Sequence, residues 1–215
     1  MTIRTDCPAG FPFGVYDTMA AVFTAISPTR LPYAVGGSVA MFAGGYTRNT
    51  EDVDIFIVDD VLCNPEIADV EVVLAALRRA GFRVEQVAES HFRAQLPRYF
   101  GTPIHADILT CCTAPELAAI AAPTPRQLGR LRFPAFSLNE VAASKLTVDP
   151  ESLDWPKTQL DLIGLYRYGL IDLAAIRQFF VENDVPYVEE VDELLTELAK
   201  PRSNPGYRPR RRREF

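Results

Sequence analysis

The chain has 215 residues, of which 48% are hydrophobic and 23% charged, with a formal net charge of −6. That length and apolar content bury an ordinary core, as one domain or as a main domain with a smaller helical partner, and they exclude a disordered or disulfide-stapled class. No stretch approaches the roughly 20 continuous apolar residues of a membrane span, and Met1 to Gly14 lacks the basic-then-apolar order of a secretory leader, so a cytoplasmic protein with no membrane partner is expected.

After a Pro- and Gly-rich entry, Val15, Met19, Val22, Phe23 and Ile26 recur at helical spacing and predict an amphipathic helix that stops before Ser27-Pro28. Leu31 to Val35 reads as a short strand running into Gly36-Gly37-Ser38, and Val39 to Ala43 as a short helix ended by Gly44-Gly45. Val53 to Val58 is a β-branched and aromatic strand with Asp52 and Asp54 at its entry. Glu66 to Ala80 follows as a helix with Ile67, Val70, Val73, Leu74 and Leu77 on one face and Gly81 as its stop. Phe82 to Val87, His91 to Leu96 and Ile104 to Leu109 are three further strand candidates.

From Ser137 the pattern turns helical. Ser137-Leu-Asn-Glu140 is a capping box, Pro156 suits the first turn of the next helix, and Leu173 to Glu182 and Val188 to Leu198 complete the series. The expected division is a mixed β-sheet with helices over 1–135, a helical region over 136–200 and a basic tail over 201–215. The tail concentrates five arginines between Tyr207 and Phe215. It reads either as a sequence-independent contact to the phosphates of nucleic acid or as a disordered end that aids solubility. Cys7, Cys63, Cys111 and Cys112 match no zinc-binding spacing and read as reduced thiols.

The chemistry gathers at the acids. Asp52 and Asp54 stand two apart in a strand, so both carboxylates leave the same face. At about 5 Å and an effective dielectric of roughly 20 their repulsion is on the order of 3 kcal/mol, which a cation between them offsets. In Ile104-His-Ala-Asp-Ile-Leu109, His105, Asp107 and Leu109 share one face while Ile104, Ala106 and Ile108 share the other. Three carboxylates from two strands make an oxygen-rich site for Mg2+ or Mn2+ and can clamp two such ions across a phosphoryl transfer. Taken alone, an Asp-x-Asp pair is more often a solvated strand end. The glycines upstream change that reading, because Gly36-Gly37-Ser38 lies between a strand and a helix, where a phosphate can approach the backbone and the Ser38 hydroxyl adds a donor. His105 reads as a structural histidine or as a tuner of the site, and Trp155, Tyr166 and Tyr168 as packing or as stacking surfaces.

Gly36-Gly37-Ser38, then Arg48-Asn-Thr-Glu-Asp-Val-Asp-Ile55, then Asp107 on a later strand resembles the signature of the DNA polymerase beta-type nucleotidyltransferase superfamily, over roughly residues 31 to 110. The resemblance implies an α+β nucleotidyltransferase fold, with a mixed β-sheet flanked by helices and then a helical C-terminal region. It further implies that Asp52 and Asp54 bind the metal ions, that Asp107 helps bind and activate an attacking hydroxyl, and that Ser38 grips the triphosphate of a nucleoside triphosphate (NTP). Arg48 and Thr50 match the frequent Arg-x-Thr lead-in to the acidic pair. The later segment is similar to the nucleotidyltransferase toxins of bacterial toxin–antitoxin pairs, which carry a lysine on one helix and an aspartate on the next; Lys145 and Asp161 are the matching residues. Lys145 falls on the inward side of its helix with Leu138, Val141 and Ala142, a place that calls for a partner such as a phosphate. Asp161 follows Lys157 by one helical turn and reads equally as half of a surface ion pair. An RNA acceptor, such as the 3′ end of tRNA, and a cognate antitoxin are the partners so implied. A protein or small-molecule acceptor of aminoglycoside type, or a nucleotide- or partner-binding module without turnover, is the alternative.

Overall fold

The computed structural model describes residues 6–58, 70–111, 113–148 and 151–183. The expected helix at 188–198, the basic tail, Cys63 and Cys112 lie outside them. Seven strands form one mixed sheet: β1 (Tyr33–Val35), β2 (Asp52–Val58), β3 (Arg83–Ala88), β4 (His91–Gln95), β5 (His105–Cys111), β6 (Thr124–Leu128) and β7 (Leu131–Ala135), in the order β3-β4-β5-β2-β1-β7-β6. β2 runs parallel to β5 and β1 parallel to β7, and the remaining neighbours are antiparallel.

The centre of the sheet is sorted by face, as strand alternation requires. On β2 and β5, Val53, Ile55, Ile57, Ala106 and Ile108 are buried, and α1 (Phe13–Ile26) packs on both strands. Asp52, Asp54 and Phe56 of β2, with His105, Asp107 and Leu109 of β5, occupy the opposite face. α1 also meets α3 (Val70–Arg79), whose Val73, Leu74 and Leu77 are buried. Glu66 to Asp69 of the longer predicted helix lie outside the described residues.

α2 (Gly37–Ala43) opens at the glycines, two residues earlier than its apolar run suggests. α5 (Leu138–Leu146) starts at the predicted box: the Glu140 N–H donates to Ser137 Oγ at 3.2 Å, and the Ser137 N–H donates to Glu140 Oε2 at 2.6 Å. α6 (Trp155–Arg167) carries Pro156 in its first turn, and α7 (Leu173–Glu182) is capped by Asp172, which accepts from the N–H groups of Ala174 and Ala175.

Two elements went unread in the sequence. α4 (Ala114–Ala121) and the β6–β7 hairpin fill the stretch before Ser137. Pro125 and Pro134 interrupt the alternation that would mark those strands, and β6 is an edge strand, where a missing N–H costs least. β7 joins the sheet through β1, and the Phe136 N–H donates to the Val35 carbonyl at 2.9 Å. One apolar cluster extends from α1 through Leu138, Leu162 and Leu165 to Ile176 and Phe180 of α7. Among the described residues no helix is long and apolar enough to cross a membrane.

Candidate active site

Parallel pairing of β2 with β5 sets Asp52 opposite His105 and Asp54 opposite Asp107. The three acids drawn from two strands therefore meet on one face. β4 pairs on the far side of β5 with Arg93 opposite Asp107, so the β4 side chains that share this face include His91 and Arg93. On the other side, the Gly36 N–H donates to the Asp54 carbonyl at 3.0 Å and brings the start of α2 against β2.

The glycines have steric reasons to be there. Gly37 has φ of +53°, and a Cβ on it would stand 1.7 Å from Asp54 Oδ2, so the Asp54 carboxylate occupies the space a side chain would need. A Cβ on Gly36 would stand 2.3 Å from the Phe56 ring. Beside them Ser38 is 2% exposed, and its Oγ has no hydrogen-bond partner among the described residues. A buried hydroxyl in that condition is uncommon, and Ser38 lies just behind Gly37 and does not itself line the cleft.

A cleft of about 610 Å3 opens over this face. Gly37, Arg48, Asp52, Asp54, Asp107 and Lys145 line it, together with His91, Arg93, His105 and Lys157. Thr50 and Asp161 are buried. Thr50 donates its hydroxyl to Asp52 Oδ1 at 2.8 Å and so orients that carboxylate. Asp161 takes Lys145 Nζ at 2.8 Å and Arg48 Nε at 3.1 Å. The partner of the inward lysine is therefore Asp161 on the neighbouring helix, and Asp161 is no surface partner of Lys157. Tyr168 packs against Tyr46 with ring centroids 5.9 Å apart.

The acids differ in their electrostatics. Burial, then the charge of Asp52, then that of Asp107 push Asp54 up to about 7, with Lys145 and Lys157 pulling the other way. Burial also acts to raise Asp107, yet hydrogen bonds from His105 and His91 outweigh it and hold Asp107 below the usual carboxylate value. His91 Nε2 lies 2.9 Å from Asp107 Oδ1, and His105 Nε2 3.2 Å from Oδ2. Arg93 Nε stands 3.5 Å from Oδ1. The hydrogen bond to Asp107 raises His105, against the effect of its own burial.

His91 and Arg93 were not legible as site residues. The alternation in His-Phe-Arg-Ala-Gln put them on one face of a strand, but nothing local said that this strand would lie beside β5. The donor chemistry suits a divalent cation. One ligand atom from each of Asp52, His105 and Asp107 lies within 4.8 Å of the others, and the surroundings of Asp54 disfavour its anionic form, which a cation would favour.

Neither a protein-family profile nor a curated protein matches the chain. Solved structures do. The solution structure of the antibiotic-resistance factor ANT(2″)-Ia has a TM-score of 0.55 to this chain at 16% identity, covering 84% of this chain and 95% of that one. The chain has the nucleotidyltransferase fold. An antigenic nucleotidyltransferase-like protein from Paracoccidioides brasiliensis is similar at 16% identity and a TM-score of 0.49, over 84% of this chain and 91% of that one. The lincosamide antibiotic adenylyltransferase LnuA, lincomycin-bound, stands at 15% identity and a TM-score of 0.47, over 70% of this chain and 95% of that one.

Proposed function

We propose that this nucleotidyltransferase-fold protein is an enzyme that moves a nucleoside monophosphate from an NTP to an acceptor hydroxyl and releases pyrophosphate. The observation that carries the reading is the seating of the Asp54 carboxylate over Gly37, in register with Asp107 and beside the unpartnered hydroxyl of Ser38. Gly37, at the start of α2, and the three acids line the same cleft.

Asp52, Asp54 and Asp107 hold the metal. A divalent cation there, Mg2+ or Mn2+, supplies positive charge against the triphosphate. The start of α2 at Gly37 and Ser38 is the side of the turn that would meet the phosphates, while the missing Cβ atoms of Gly36 and Gly37 admit the Phe56 ring and the Asp54 carboxylate. Lys145 and Arg48 face the same cleft as cations, and Asp161 holds both in place. Thr50 acts through Asp52, whose carboxylate it orients. Asp107 orients the attacking hydroxyl. The protein's contribution is thus position and charge, which dominate phosphoryl transfer.

For the acceptor we favour RNA, such as the 3′ end of tRNA. Arg48, Arg93, Lys145 and Lys157 line the cleft; Arg48 and Lys145 are paired with Asp161 and Arg93 with Asp107, which leaves Lys157 as the lining cation best placed to meet a polyanion. The Lys145 and Asp161 pattern keeps a toxin with a cognate antitoxin as the biological setting. The second reading is an antibiotic acceptor, favoured by the likeness to an antibiotic-resistance factor.

The test is to incubate the protein with each labelled NTP and Mg2+, adding either total RNA or an aminoglycoside. Label in RNA with wild type, reduced on the order of 10³-fold by Asp54→Asn, is the expected result. Label that is equal in both proteins, or absent from every acceptor, would overturn the assignment. Label confined to the aminoglycoside would replace RNA with the second reading.

A further inference from the structure

We propose that His105 is a direct ligand of the cation held by Asp52 and Asp107, and that its imidazole makes this site prefer a first-row transition ion to Mg2+. The inference rests on the metal-site reading above and adds to it a nitrogen donor, which the three acids do not supply.

Position comes first. His105 opens β5 opposite Asp52 and stands two residues before Asp107, so strand pairing delivers all three side chains to one face. Their ligand atoms lie within 4.8 Å of one another. Around an ion with bonds of about 2.1 Å, adjacent ligands stand about 3 Å apart and opposite ones about 4 Å, so small side-chain shifts close the site.

Orientation is the stronger argument. His105 Nδ1 is hydrogen-bonded to the Pro103 carbonyl. A carbonyl can only accept, so the proton sits on Nδ1, and in the neutral ring the lone pair is on Nε2. That arrangement, one ring nitrogen donating to a backbone carbonyl and the other aimed at a carboxylate cluster, is the outer-shell pattern of metal-binding histidines. Nε2 lies 3.2 Å from Asp107 Oδ2. Either a proton on Nε2 or a cation bound by both atoms supplies the positive charge this contact needs, and metal binding replaces the first with the second. The ring is also withdrawn from solvent, with its side chain 13% exposed.

Consequence follows from donor type. A site of oxygen ligands alone suits Mg2+ and Mn2+ alike, whereas an imidazole favours transition ions, Mn2+ being the weakest case of that preference.

The chain has two histidines, His91 and His105, which makes a spectroscopic test decisive. Mn2+ is added to the full-length protein and followed by electron paramagnetic resonance, with pulsed detection of nitrogen coupling on protein carrying 14N- or 15N-labelled histidine. Bound Mn2+ with histidine nitrogen coupling is expected in wild type and in His91→Gln, and its loss in His105→Asn. Mn2+ affinity should fall about tenfold or more in His105→Asn, with Mg2+ affinity, measured by competition, changed less than about twofold. Bound Mn2+ without histidine coupling in wild type overturns the inference while leaving the carboxylate site standing. So does coupling that vanishes in His91→Gln instead. Failure of the protein to bind Mn2+ at all overturns the metal site and the inference together. Where His105→Asn does not fold, coupling retained in His91→Gln assigns the nitrogen to His105.

Discussion

Two clusters of charge flank the same cleft, and they are built on opposite plans. At the α5–α6 junction one buried carboxylate, Asp161, is held by two cations, Lys145 and Arg48, at 2.8 Å and 3.1 Å. At the β2–β5 seam three carboxylates share one face, and among the described residues only Asp107 has cationic or imidazole ion-pair partners, all from β4 and its own strand. The first cluster is satisfied within the protein and ties a loop to two helices. The second resists full ionisation, as the raised Asp54 expresses, and a bound cation would relieve that. Burial of charge alone therefore does not mark a binding site; the sign of what is left over does.

The largest effect should come from breaking the balanced cluster. Asp161→Asn leaves two cations facing each other with no anion between them, and should destabilise the fold by about 3 kcal/mol, lowering Tm by roughly 6–12 °C for a chain of this size. Thermal unfolding checks it. A Tm unchanged from wild type would mean that solvent already screens the pair.

Next in size is Gly37→Ala. The new Cβ must take a left-handed backbone conformation and displace Asp54 Oδ2, a cost of about 2 kcal/mol. It should also weaken Mg2+ or Mn2+ binding measured by calorimetry, whereas a surface glycine change would leave metal affinity alone.

The smallest effect is the dependence of stability on pH, and it separates the two plans. Asp54 binds its proton more tightly folded than unfolded, so without metal the unfolding free energy should fall as pH rises from about 4 through about 7. His105, also raised, acts in the same direction: its contribution is full below about 6.5 and is lost as pH rises through its folded value. Asp107, lowered, contributes stability above its unfolded value and loses it as pH falls below about 4. Asp54→Asn should remove most of the slope between pH 4 and 7 and leave the protein more stable than wild type at pH 8. Saturating divalent cation should flatten the wild-type curve there. A slope that persists in Asp54→Asn, read from denaturant titrations at fixed pH, would assign the raised proton affinity elsewhere.

Much of this architecture was written locally. α1, β2 and α7 follow from spacing that any reader of the chain can count, and the α5 start from a capping box whose two hydrogen bonds form as the residues predict. The β6–β7 hairpin was illegible because two prolines break its alternation, and only its neighbours show that one strand sits at an edge. Asp161 was misleading for a related reason. Its helical spacing to Lys157 is a short-range signal, whereas its partners come from another helix and from a loop before β2.

The sequence by itself determined which residues carry charge, which strand face each acid leaves, and where the chain must turn tightly at Gly36 and Gly37, because those are consequences of backbone periodicity and of the missing Cβ. Only the tertiary structure decided that β5 lies parallel to β2 with Asp107 beside Asp54, that β4 brings His91 and Arg93 to the same acid, and that Lys145 finds Asp161. Strand order and helix docking are settled by burying one shared apolar cluster, and that free energy is summed over residues far apart in the chain.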